Sequence, residues 1–187
     1  MPPYSDAHLL SILERVRTIA MVGASSDWRR PSYFAMKYLQ EKGYRVIPIN
    51  PRVAAQSGEA GAILGERAYA SLREAPAPID MVDVFRSSEA AGEVVDEAIA
   101  VAKEKGIWVV WMQLGVVNED AARRAEAAGL TVVMDRCPKI EWSRLHRELA
   151  WSGFNTGVIS SQRPRWSPDG ASRPRRSPGE ASGRRSA

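Results

Sequence analysis

Five short runs of apolar, β-branched and aromatic residues recur along the chain, and each is closed by a polar loop. Thr18-Ile19-Ala20-Met21-Val22 ends at Gly23, and Tyr44 to Ile49 ends at Asn50-Pro51. Ile79 to Val84 ends at Phe85-Arg86, Ile107 to Met112 at Gln113-Leu114-Gly115, and Leu130 to Met134 at Asp135-Arg136. Runs of five or six such residues have strand length and strand composition. Runs this apolar imply burial on both faces, as in a parallel sheet.

The gaps between the runs carry helical spacing. His8 to Arg17 puts Leu9, Leu10, Leu13 and Val16 on one side, and Pro31 to Lys42 puts Phe34, Tyr38 and Leu39 on one face before a Gly43 stop. Ser88 to Lys105 repeats Val94, Val95, Ala98, Ile99 and Ala102, with Gly106 behind. Asn118 is a good N-cap for a helix to Ala128, with Glu119 and Asp120 where the helix dipole favours acids. A last helix is expected over Pro138 to Ala150, and a short helical turn over Ala68 to Glu74. Val53 to Gly65, rich in Ala and Gly, reads as an expanded, mobile loop.

Strand alternating with helix is the pattern of an α/β fold, Rossmann-like and doubly wound, with a five-stranded parallel sheet and helices on both faces. With right-handed crossovers the expected strand order is 3-2-1-4-5. A chain of 187 residues, 44% hydrophobic, suits one domain and a tail. The single cysteine, Cys137, excludes a disulfide framework and a multi-cysteine zinc site within the chain, which suits a reducing cytoplasm. No stretch approaches the roughly 20 apolar residues of a membrane helix, and Met1 to Asp6 lacks a signal-peptide pattern. These features point to a soluble cytoplasmic protein.

The net charge of +4 is unevenly spread. Residues 1–155 hold 19 Lys and Arg against 20 Asp and Glu, whereas residues 156–187 hold seven Arg against two acids. The latter segment is Arg, Ser, Pro, Gly and Ala with one aromatic, Trp166, and has no apolar periodicity. Such a composition cannot offset its ordering entropy, so a disordered tail is expected over 156–187, behind a domain over 1–155. A near-neutral body argues against a nucleic-acid-binding domain; only the tail could serve as an RNA-binding arm.

Ligands of doubly wound sheets bind at the carboxyl ends of the strands, where the strand order reverses. Four of the five strand ends here carry an arginine within a few residues: Arg29 and Arg30, Arg52, Arg86 and Arg136. A basic rim on a net-negative body implies an anionic ligand, most simply a phosphate ester. Gly23 permits a tight turn after the first strand, and small Ala24 and Ser25 allow a ligand close to the backbone. Free N–H groups at the next helix start would then face its phosphates. The dinucleotide fingerprint is absent, since only the first of its three glycines is present. The second strand ends in Asn50 rather than the acid that holds an NAD ribose, although Arg52 could serve an NADP site. An NAD(P)-binding, oxidoreductase-like domain is therefore the alternative.

Gly23-Ala24-Ser25, Asn50-Pro51, Val84-Phe85-Arg86, Gln113-Leu114-Gly115 and Asp135-Arg136-Cys137-Pro138, in this order, resemble the stand-alone CoA-binding proteins. Their domain is similar to the N-terminal CoA-binding domain of the succinyl-CoA synthetase α-subunit. The resembling segments span nearly all of residues 10–150; the departures are the Val53 to Gly65 loop and the Arg-rich tail. The resemblance implies that Gly23, Ala24, Ser25 and Ser26 hold the CoA pyrophosphate, and that Asn50, Pro51 and Arg52 form the wall beside the nucleotide. It implies that Phe85 and Arg86 pass the adenine and pantetheine, and that Met112, Gln113 and Gly115 touch the pantetheine. Arg30 joins this set on charge and placement.

The phosphohistidine and nucleotide-grasp domains of the synthetases have no counterpart here. His8 precedes the first strand and His146 reads as a surface residue; no Ser–His–Asp set, P-loop or metal-ligand spacing occurs. Cys137 follows Arg136 near a helix N-terminus, which would lower a thiol pKa, but a half-buried small residue in a turn is the favoured reading. Trp108, Trp111 and Trp142 read as core. The expectation is non-covalent binding of CoA or an acyl-CoA, with no metal and no catalytic residue.

Overall fold

The computed structural model describes residues 4–146. The expectations for residues 156–187, and for the last helix beyond His146, lie outside the described residues. Five parallel strands form the sheet: β1 (Thr18–Val22), β2 (Arg45–Ile49), β5 (Met81–Val84), β6 (Val109–Met112) and β7 (Thr131–Val133). Helices α1 (Asp6–Arg15), α2 (Pro31–Glu41) and α6 (Pro138–Leu145) cover one face. Helices α4 (Ser88–Lys105) and α5 (Glu119–Ala127) cover the other, beside the segment that carries Leu72 and Ala75. The fold class is the expected one.

Strand burial follows from this double cover. Ile19 and Met21 enter one core and Ala20 the other, so alternate residues of β1 serve opposite faces and neither face tolerates a polar run. Local sequence sets the helix ends. Ser5, Ser87 and Asn118 cap α1, α4 and α5 by accepting hydrogen bonds from the His8, Ala90 and Ala121 amides. Gly106 closes α4 in the left-handed conformation, at φ +84°.

The strand order differs from expectation. The sheet runs β2-β1-β5-β6-β7, which places the third of its five strands beside the first and leaves the second at the edge. The expected 3-2-1-4-5 order would have put that third strand outside β2. Pro48 is the physical reason. Its carbonyl accepts the Tyr69 amide (3.0 Å) on the outer side of β2, so its ring nitrogen faces outward too and has no proton to offer a further strand. Among the described residues, the outer edge of β2 carries only an isolated bridge between Ile49 and Tyr69.

Two further segments differ. Ala68 to Glu74 forms a bridge and turns rather than a helical turn. Val53 to Gly65, expected as an open loop, carries the end of a short helix α3 (Pro51–Ala54), a 3-10 turn (Gly58–Gly61) and one strand of a hairpin, β3 (Ala62–Ile63) with β4 (Glu66–Arg67). Trp111 is fully buried, as expected of a core residue. Trp108 and Trp142 are half-buried and pack against the same core.

Candidate functional site

The observed strand order moves the point where the chain changes direction across the sheet. It lies between β1 and β5, so the loops that diverge there begin at Gly23 and at Phe85-Arg86. In the expected order the loop opposite Gly23 would have begun at Gln113. A cleft of about 580 Å³ opens at the observed position. Its floor is Val22, Gly23 and Ile49, at the ends of β1 and β2. Asn50, Pro51 and Arg52 form one wall, Ala70 and Arg86 continue it, and Ala90, Glu93, Val94 and Glu97 of α4 form the other.

Gly23 is held where no side chain fits. Its φ is +89°, and a Cβ there would lie 2.8 Å from the Phe85 carbonyl oxygen and 3.2 Å from Arg86 Cδ. The Gly23 amide donates to the Ile49 carbonyl (3.0 Å), so three strand ends meet at one bare backbone unit. Asn50 braces the same corner. Its Nδ2 donates to the Ala24 carbonyl (2.7 Å), and its Oδ1 accepts the Arg52 and Val53 amides (2.9 and 3.3 Å). Asn50 thus spends its amide on the loops and keeps no carboxylate for a ribose diol. Arg52 and Arg86 are exposed and neither is ion-paired among the described residues.

The other residues of the expected site fall into three groups. Ala24 is buried, and Ser25 Oγ accepts the Asp27 amide (3.1 Å), so both shape the loop. Ser26 and Arg30 are exposed and do not line the cleft; Arg30 is the N-cap residue of α2, eight residues below the sheet end in sequence rather than directly behind Gly23. Arg29 is engaged with Asp27 (3.0 Å), which holds that carboxyl down at about 2. Phe85 is half-buried against the α1/α2 core.

Met112, Gln113 and Gly115 lie apart from the cleft. Met112 is fully buried, and Gln113 Nε2 donates to both oxygens of Asp83 (2.8 and 3.1 Å) inside the protein. Burial pushes the Asp83 carboxyl up to about 7, and the Gln113 hydrogen bond draws it partly back. The Gly115 amide donates to Asp135 Oδ1 (2.8 Å), which closes that loop on itself. Cys137 is buried and its thiol is pushed up to about 11 by desolvation, against the pull of the Ile140 amide. The lowering expected from Arg136 and the helix start is outweighed. His8 and His146 are exposed and stack on Tyr4 and Trp142.

Sequence reasoning missed the α4 wall. Ala90, Glu93, Val94 and Glu97 share one helix face, and the signal available was their spacing in the helix that directly follows Arg86. Among the described residues no cluster of three or more His, Cys, Asp or Glu side chains is placed to hold a metal, and no helix is long and apolar enough to cross a membrane.

A family model described as a CoA binding domain matches residues 17–143. An uncharacterized protein of Bacillus subtilis (strain 168), YneT, is 40% identical over 136 residues, 73% of this chain and 93% of that protein. A hypothetical protein from Pyrococcus horikoshii OT3 superposes with a TM-score of 0.68 at 37% identity, covering 76% of this chain and 93% of that one. A protein from Thermus thermophilus does so with a TM-score of 0.67 at 36% identity, covering 76% and 99%.

Proposed function

The chain belongs to the CoA binding domain family, and on that premise we propose that it binds CoA or an acyl-CoA non-covalently in the cleft between Gly23, Arg52, Arg86 and α4. The observation that carries this reading is the corner at Gly23. A backbone unit stripped of side chain, with two unpaired guanidiniums beside it, suits a diphosphate approached through charge-assisted hydrogen bonds. The cleft volume lies in the range of small-molecule sites. The pantetheine then leaves past Phe85 and Arg86 rather than across Gln113, whose amide is committed to Asp83.

An NAD(P) site is the weaker reading, because Asn50 is tied to Ala24 and the loop lacks the second and third glycines. The protein acts as a binding domain without chemistry of its own. Neither described histidine lines the cleft, and Cys137 is a buried thiol rather than a poised thiolate. The binding unit is residues 1–155, the arm beyond it is dispensable for CoA, and the single thiol suits the cytoplasm.

Calorimetry with CoA, NAD and NADP tests the reading. CoA should bind most tightly, and a chain truncated after Asn155 should bind it equally well. NADP binding without any response to CoA would overturn the reading.

A further inference from the structure

Two glutamates stand in a cleft suited to phosphates. Glu93 and Glu97 line it together with Arg52 and Arg86, so formal charges of opposite sign share one site. Toward phosphates alone these carboxylates are repulsive. Their placement separates them from the anion corner. At 1.5 Å per residue, Glu93 and Glu97 lie about 8 and 14 Å along the α4 axis from Ser88, which sits two residues past Arg86. Helix α4 runs back from the end of β5 toward the start of β6, so both carboxylates recede from the edge where Gly23 meets Arg86. The lining also includes an apolar slot of Val22, Ile49, Pro51, Ala70, Ala90 and Val94.

Glu97 is also held in place. Its Oε1 accepts the Arg73 amide (3.1 Å) from the segment that leads from β2 to β5, and its second oxygen has no protein partner among the described residues. A half-buried carboxylate fixed through one oxygen in the cleft wall keeps its other oxygen available as an acceptor.

We propose that Glu97, seconded by Glu93, determines base specificity by accepting a hydrogen bond from the exocyclic amine of an adenine seated in the slot, with the diphosphate at Gly23 and Arg86. This rests on the CoA reading above and orients the ligand within it. Adenine presents an amine to the carboxylate. Hypoxanthine presents a carbonyl oxygen, which sets acceptor against acceptor. A site built around a hydrogen bond rejects the partner that cannot make it.

The test is calorimetry of wild type, Glu97→Gln and Glu93→Gln with CoA and with its hypoxanthine analogue. Wild type should prefer CoA by at least about tenfold. Glu97→Gln should narrow the preference to within about threefold, because an amide donates as well as accepts, with an unchanged melting temperature. Glu93→Gln should narrow it less. Equal binding of the two ligands by wild type overturns the inference and leaves the CoA reading standing. So does an unchanged preference in both variants, or an equal loss for both ligands in Glu97→Gln. Absence of any CoA binding by wild type removes both.

Discussion

The two halves of the sheet's carboxyl edge treat their polar groups in opposite ways. At β1, β2 and β5, Gly23 exposes backbone, Arg52 and Arg86 reach outward unpaired, and Glu93 and Glu97 face the same opening. At β6 and β7 the polar groups satisfy one another: Gln113 on Asp83, Gly115 on Asp135, and the Trp111 indole on the Arg136 carbonyl (2.8 Å). Both halves end in loops of similar composition. The difference lies in whether the connections that leave neighbouring strands turn to opposite faces of the sheet, because only such a change of direction leaves a space the protein does not fill itself.

Gly23→Val tests the open half most severely. The new side chain meets the Phe85 carbonyl and forces a β-branched residue to φ +89°. CoA binding should be lost in calorimetry, and stability should fall by about 1–3 kcal/mol in denaturant unfolding. Retained CoA affinity would erase the contrast between the two edges.

The closed half predicts a pH effect in place of a ligand effect. Burial pushes the Asp83 carboxyl up to about 7 in the folded protein, well above the usual carboxylate range, so between about pH 4 and 7 the folded protein holds a proton that the unfolded chain releases. Its contribution is fully present below about pH 4 and is lost as pH rises to about 7, a fall of about 4 kcal/mol. Asp83→Asn should remove this fall. The variant should melt higher than wild type at pH 8, by on the order of 10 °C, with a gap that closes toward pH 4. An unchanged gap across that range would mean that Asp83 is charged and compensated.

Arg86→Ala should cost less. A charge-assisted phosphate contact is worth about 1.5–3 kcal/mol, so CoA affinity should drop roughly 10- to 150-fold while the melting temperature holds. Gln113→Ala, on the other edge, should lower stability by about 1–3 kcal/mol by stranding Asp83, with CoA affinity nearly unchanged. If Gln113→Ala weakens CoA more than Arg86→Ala does, the site extends across β6. The smallest effect is expected for His146→Ala. Its ring stacks on Trp142 at 3.9 Å, so about 0.5–1.5 kcal/mol of stability should go and CoA affinity should stay.

Much of this was legible beforehand. The five runs became the five strands within two residues at each end, and Ser88 to Lys105 became α4 without change. Of the residues expected to hold the ligand, Gly23, Asn50, Pro51, Arg52 and Arg86 line the cleft. Met112, Gln113 and Gly115, which the resemblance implied as pantetheine contacts, do not line it. The strand order was the expectation that failed. Pro48 carried the correcting signal, since a proline within a strand marks an edge. The buried Asp83–Gln113 pair left no such trace. An acid within an apolar run reads the same whether it faces solvent or a neighbouring strand's side chain.

Local chemistry was enough to settle the class of fold and the ends of its elements. Apolar runs need cover on both faces, and caps and glycines act within a few residues of themselves. What waited for the tertiary structure was adjacency. Which strand lies beside β1 decides that Arg86, not Gln113, stands across from Gly23, and it brings the α4 wall with Glu93 and Glu97 to the same opening. That choice is expressed in groups far apart in the chain: the Pro48 carbonyl is met by the Tyr69 amide, 21 residues on, and the chain crosses the sheet before it pairs with β1. No window of local sequence contains both.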